Sequence, residues 1–325
     1  MHREPHRSAP AGTHPAYYVP GAVGMALVGG SVAVSHVLVD APLMTAQAIR
    51  YAAAAAVLIL CARILGRAVP MPRRRDWPLL VLLAGSGLVL FNVALVRGAE
   101  HAEPAAIAVA VASVPVVLGL LGPLLESSSP SRRLLAAAAT VTAGSVLVQG
   151  FGRTDAYGVG WAAVALACEA AFTLLAVPLL PRLGAWGVSV HSVLVGTAMF
   201  AVLALLTEGP TAAARIQRDQ WVAIAYLAIL VTAVAFVLWY ATVARVGAAS
   251  AGLLTGVAPV AAAGVGIVVT GDVPGAGVWV GVAVVAAGLA LGLGRRRTTA
   301  PAQRDPQMRT GVGGPTPAST AASDG

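Results

Sequence analysis

The sequence predicts an all-α polytopic membrane protein with ten transmembrane helices, arranged as a 5+5 inverted-topology repeat. Three observations predict it. Of 325 residues, 58% are hydrophobic and 10% charged, and the mean hydropathy is +0.82; a soluble chain carries about 25% charged residues. The apolar residues fall into ten runs, each near the roughly 20 residues that cross about 30 Å of hydrocarbon. Landmarks in one half recur 144 residues later in the other.

Composition also excludes several classes. Intrinsic disorder needs low hydrophobicity and high charge. A soluble enzyme of this size could not cover its surface with so few charges. The net charge of +8 comes from 21 arginines and no lysine. These arginines sit in short clusters between apolar runs and in the tails, so they read as topogenic charge rather than a nucleic-acid patch. Cys61 and Cys168 both lie inside apolar runs, which argues against a disulfide framework.

The chain begins with a polar tail, residues 1–19, that shows no cleavable signal pattern. Spans are read at 20–39, 43–63, 77–97, 104–124 and 133–150, forming a first repeat over 20–150. A second set follows at 157–179, 187–207, 221–243, 249–270 and 277–294, forming a second repeat over 157–294. Runs this long are helices, because a helix satisfies its own backbone in lipid and barrel strands are shorter. Residues 295–325 are rich in Pro, Ala, Gly, Thr and Ser and read as a disordered tail. With the N-terminus inside, fourteen arginines fall on inner segments and four on outer loops, so both termini are expected in the cytoplasm. Tyr17, Tyr18, Trp77, Trp221, Trp239, Tyr240 and Trp279 fall near span ends, as interfacial aromatic belts do.

The repeat rests on three pairs at one offset: Trp77 with Trp221, Pro115 with Pro259, and Gly144 with Gly288. Five spans per half means that the second half enters the membrane upside down. Such inverted repeats are frequent in secondary transporters, with a substrate site near the midplane beside broken helices. Pro115 and Pro259 would bend their helices and free a carbonyl each. They serve equally well as packing kinks or as gating elements.

Residues Ala41-Pro42-Leu43 are followed by Arg50, Pro115 and Pro259 follow small-residue stretches, Glu126 lies just past span four, and Gly144 and Gly288 close each half. In this order the chain resembles the drug/metabolite transporter superfamily, in particular its EamA-type ten-span transporters, over about residues 20–294. It departs from the family pattern at Thr270-Gly271-Asp272, where Gly-Glu is commoner, and at Gly29-Gly30-Ser31, which lacks the Trp-Gly-Ser form. The resemblance implies a secondary transporter that exports a small organic solute such as an amino acid, metabolite or drug. It implies a packing and gating role for Arg50.

Ionisable groups inside spans cost about 2.5–3.5 kcal/mol on insertion scales and are functional candidates by default. Glu169, near the middle of span six, is the foremost candidate: it could bind a substrate amine, exchange a coupling proton, hold a structural ion pair, or stand as a neutral, hydrogen-bonded carboxyl. Arg50, about 10 Å deep at 1.5 Å per residue, could snorkel or bind an anionic group. His36 lies near the outer end of span one, and His191 near the start of span seven. Asn92, Ser113, Thr173, Thr232, Thr255 and Tyr240 place polar groups at membrane depth. Ser and Thr can simply bond their own helix, whereas the Asn92 amide has four bonds to satisfy. Trp239 and Tyr240 suit either substrate stacking or a belt. Gly277, Gly281, Gly288 and Gly292 form small-xxx-small pairs that close helix packing explains.

No nucleophile elbow, metal-protease helix, paired-cysteine motif or phosphate loop is present in the sequence. No catalytic residue, cofactor or metal is expected. The expected partners are a small-molecule substrate, the lipid bilayer and a coupling proton, with a homodimer compatible and nucleic acid not expected. The competing classes are a membrane-embedded enzyme and a non-transporting sensor or assembly protein.

Overall fold

A computed structural model describes residues 14–31, 34, 35, 37–271 and 274–294. His36, Asp272 and most of both tails therefore lie outside the described residues. Residues up to Gly294 form one unit, built of helices plus an isolated bridge between Ala102 and Thr154.

The helices are α1 (Val19–Gly30), α2 (Leu43–Ile64), α3 (Arg74–Ala99), α4 (Pro104–Leu125) and α5 (Arg132–Gln149). They continue as α6 (Ala156–Leu174), α7 (Leu180–Thr207), α8 (Arg218–Val246), α9 (Ala248–Val268) and α10 (Ala276–Leu293). Eight of these, all except α1 and α5, are long and apolar enough to cross a membrane. In α1 the described helix is only 12 residues, and α5 opens on Arg132 and Arg133. Span seven is read from residue 187, but the helix begins earlier, and Gly184 (φ 65°, ψ 175°) breaks it near its start. Only a residue without a Cβ takes that conformation readily.

Carboxylates tie the helix ends together. The Glu208 carboxylate, just past α7, accepts from Met44 N at 2.8 Å and Thr45 N at 2.9 Å, capping α2. Glu126, just past α4, accepts from Ala248 N at 2.8 Å and caps α9. Each satisfies amides that the helix itself cannot. At one end of the bundle Arg182 pairs with Asp76, and Arg133 donates to the carbonyls of Leu291 and Gly294. At the other end Arg153 pairs with Glu103 at 2.8 Å and His101 with Asp155 at 3.0 Å.

The helix contacts are internally symmetric. Helix α1 packs on α8 and α9, and α6 packs on α3 and α4; α2 packs on α7, and α5 on α10. Exchanging each helix for the one five places later reproduces this set. The α5–α10 crossing brings two backbones close together. A Cβ added to Gly144 would lie 2.6 Å from Val285 N, and one at Gly281 would lie 2.7 Å from Val148 N. Close backbone approach needs small residues there, because lipid supplies no hydrophobic drive for helix association.

The aromatic belt needs correction. Trp77, Trp221 and Trp279 are 40%, 43% and 52% exposed, as belt residues should be. Trp239 and Tyr240 are 3% and 0% exposed and lie in the interior; Tyr18 is also buried.

Two predictions follow from this packing. Gly144→Val should destabilise the fold by about 1–3 kcal/mol through overpacking at the α5–α10 crossing, read as a lower midpoint in a detergent melt. At the bundle end that holds the Arg153–Glu103 and His101–Asp155 pairs, the amide of Gly158 and then His101 hold the Asp155 carboxyl below its usual value, and the Arg153 guanidinium does the same for Glu103. A depressed folded pKa contributes stability above the unfolded value, about 4, and loses it as pH falls through the folded value. Hydrogen exchange around Ala102 and Thr154, corrected for intrinsic rate, should therefore be slower at pH 6 than at pH 3.

Candidate functional site

Two kinds of local irregularity shape the interior. Pro115 has no amide hydrogen for the carbonyl of Val111, and α4 breaks at Ala112 and Ser113 just before it. Pro259 withholds one from Thr255, and α9 passes through a 3₁₀ turn over Leu253–Gly256. The pair predicted at one offset thus marks two broken helices. The second irregularity was not foreseen. Helix α3 winds as a π-helix over Gly85–Leu90, and α8 does so over Leu227–Val234. These segments lie at equivalent places in the two halves. Such π segments appear frequently at functional sites.

The π segments position a polar cluster between α2, α3 and α8. Arg50 Nε donates to Thr232 Oγ1 at 3.0 Å, inside the α8 π segment. Its Nη1 lies 3.4 Å from Gln47 Oε1, and its guanidinium stands 5.3 Å from the Tyr51 ring centroid. Gln47 Nε2 donates to Asn92 Oδ1 at 2.6 Å, and Asn92 Nδ2 donates to Leu88 O at 2.6 Å. Arg50 therefore points inward rather than snorkelling out. Gln47 and Tyr51 were missed in the sequence, although their spacing of three and one from Arg50 puts all three within one turn.

A second cluster joins α6 to α8. Trp239 Nε1 donates to Thr173 Oγ1 at 3.1 Å, and Tyr240 OH donates to Phe172 O at 3.2 Å. The rings of Phe172, Phe236 and Tyr240 pack together at a tilt, the latter two with centroids 4.8 Å and 5.2 Å from that of Phe172. Tyr240 and Trp239 are thus wall residues whose polar atoms are already used. Glu169 is half-buried, one turn before Thr173, and close enough to Tyr240 to interact electrostatically. Among the described residues its carboxylate meets no hydrogen-bond or ion-pair partner.

The two clusters lie at similar heights. Gly98 abuts Trp161 and Gly87 abuts Phe172, so antiparallel packing sets Asn92 within one turn of Glu169. Ala46 packs with Ile224 while Arg50 reaches Thr232, so α2 and α8 run the same way. Tyr51 stacks on Phe200 and Glu208 caps Met44, so α7 runs opposite to α2. Trp77 meets His191 and Gly85 meets Met199, so α3 runs with α7 and α6 runs with α8. With Thr173 beside Trp239, Glu169 is level with Ala235, about 4.5 Å along the axis from Thr232.

The remaining candidates separate. Thr255 Oγ1 donates to Gly252 O at 2.8 Å and serves its own helix. Ser113 stands half-buried at the α4 break, its hydroxyl without a partner among the described residues. His191 Nδ1 donates to Gly187 O at 2.7 Å, well away from Glu169 along the bundle. No group of three metal-ligating side chains occurs among the described residues.

Comparison with known proteins agrees with this architecture. A model of the EamA-like transporter family matches residues 19–149 and again 156–293. The chain belongs to the EamA-like transporter family. The "Uncharacterized transporter YetK" of Bacillus subtilis is 27% identical over 253 residues, covering 75% of this chain and 77% of that one. The "Probable terminal-alkyne amino-acid exporter" of Streptantibioticus cattleyicolor is 28% identical over 255 residues, covering 76% and 84%. A protein crystal structure superposes with a TM-score of 0.73 at 20% identity, covering 86% of this chain and 98% of that one, and so shares the fold. This EamA-like chain is therefore a multi-pass helical membrane protein of a transporter family.

Removing the Asn92 amide would leave Gln47 Nε2 without its acceptor. Asn92→Ala should cost about 1–3 kcal/mol, the penalty of an unsatisfied buried polar group, seen in a thermal melt. A variant melting with wild-type stability would show that the Gln47–Asn92 bond contributes nothing.

Proposed function

We propose that this chain is a secondary transporter that exports a small zwitterionic solute of the amino-acid class by alternating access. The observation that carries this reading is a pair of opposite charges. Arg50 and Glu169 both sit within helices at membrane depth, within about one helical turn in height, yet they form no ion pair with each other. Each is costly where it stands, and a solute carrying both a carboxylate and an ammonium would satisfy both. Arginine presents a planar fork that suits a carboxylate. Glu169 offers a carboxylate to the ammonium, beside the Phe172–Phe236–Tyr240 aromatic wall, which favours a cation. The relative named as an amino-acid exporter supports the same class.

The transport cycle follows from symmetry. The chain would cross the membrane ten times, as two inverted five-helix repeats over 20–150 and 157–294 with both termini cytoplasmic. The helix contacts that repeat on a shift of five places and the paired irregularities in α3/α8 and α4/α9 support that arrangement. So does the sorting of loop contacts to two ends of the bundle, because each links segments that alternate in the chain. Rocking one repeat against the other would expose the Arg50–Glu169 region to each side in turn. Protonation of Glu169 would release the ammonium and couple export to a proton.

The test is counterflow in proteoliposomes loaded with a neutral amino acid. Amino acids should compete, whereas their N-acetyl and carboxamide derivatives should not. Arg50→Gln should abolish discrimination against the carboxamide, and Glu169→Gln should abolish discrimination against the N-acetyl form. Equal competition by blocked analogues in the wild-type protein would overturn the zwitterion reading, and no counterflow of any amino acid would overturn the substrate class.

A further inference from the structure

We propose that the cavity between the arginine-bearing end of α2 and the adjoining part of α7 is a binding site for an anionic phospholipid. The cavity holds about 380 Å³ and opens beside Arg63 and Arg67. Both arginines are exposed, and among the described residues neither meets a carboxylate or any other acceptor. Arg182, at the same end of the bundle, differs in having Asp76. A pair of guanidinium groups with open forks suits a phosphate.

Below this rim the cavity turns apolar. Ile59, Val190 and Leu194 form its deeper wall. Leu60 and Ile64, on the same turns of α2, are 58% and 73% exposed and face outward. Charge at the rim over an apolar wall one turn deeper is the layout of a phospholipid, headgroup above acyl chain. It does not suit a free phosphate, which would have no use for the wall. A buried polar group completes the site. His191 is 5% exposed, lines the cavity, and gives its Nδ1 hydrogen to Gly187 O, so its Nε2 is left without a partner among the described residues. A headgroup hydroxyl would satisfy Nε2. Basic pockets between transmembrane helices bind acidic headgroups in this way. The site bridges α2 and α7, which the cap from Glu208 joins at their opposite end, so a bound lipid would clamp the same helix pair at both ends.

The experiment is native mass spectrometry of the full-length protein released from detergent, titrated with phosphatidylglycerol, phosphatidylcholine or inorganic phosphate. Wild type should retain one phosphatidylglycerol in preference to phosphatidylcholine, and inorganic phosphate should not displace it. The double variant Arg63→Gln/Arg67→Gln should bind it about 30-fold more weakly, the ratio given by about 1 kcal/mol per arginine. Both side chains are exposed, so the variant's lipid-free melt should match wild type; Arg245→Gln, elsewhere on the bundle, should leave binding unchanged. Equal retention of phosphatidylcholine, unchanged binding in the double variant, or displacement by inorganic phosphate would each overturn the proposal.

Discussion

A backbone in hydrocarbon has no water to bond, so each amide and carbonyl must find its partner inside the protein. The rest of this structure follows from that constraint. It makes every long element a helix. It also confines irregular backbone to the interior, where a neighbouring helix or a polar cavity can answer the freed groups. The π segments of α3 and α8 and the breaks before Pro115 and Pro259 are such places. They are where the polar cluster around Arg50 collects.

The same constraint explains how the helices end. Glu208 and Glu126 stand past the ends of α7 and α4 and cap α2 and α9, far away in sequence. Each carboxylate meets the positive end of a helix dipole and satisfies open amides. Helix ends of one repeat are thereby tied to helix starts of the other, and the bundle does not depend on loops alone. Small residues then set how close the helices come, as where Gly144 and Gly281 let α5 and α10 approach backbone to backbone.

The interior divides its polar groups by use. Trp239, Thr173 and Tyr240 spend their hydrogen bonds on one another and on Phe172 O, and so build a rigid wall. Asn92 and Gln47 hold the Arg50 region in place. Glu169, a carboxylate at membrane depth, meets no hydrogen-bond or ion-pair partner among the described residues.

Much of this was legible in the chain itself. Hydropathy marks the membrane helices because crossing hydrocarbon demands a minimum apolar length. The offset of 144 residues pointed to Pro115 and Pro259, since proline acts on its own helix wherever it lies. The costly charges Arg50 and Glu169 stood out for a similar reason: their desolvation depends mainly on depth. Other features depended on which helix faces which. Trp239 and Tyr240 read as belt residues by position, and only the seat of α8 against α6 put them in the interior. Thr255 places a polar group at membrane depth, and only the structure shows its hydroxyl donating to Gly252 O. Gln47, Tyr51 and the capping role of Glu208 carried no local signal, because each draws its meaning from a partner brought near by folding. The sequence by itself determined which segments are apolar enough to serve as membrane helices and which groups are expensive inside them. The tertiary structure decided which of those groups are paired, because pairing is set by distances between helices that no local pattern encodes.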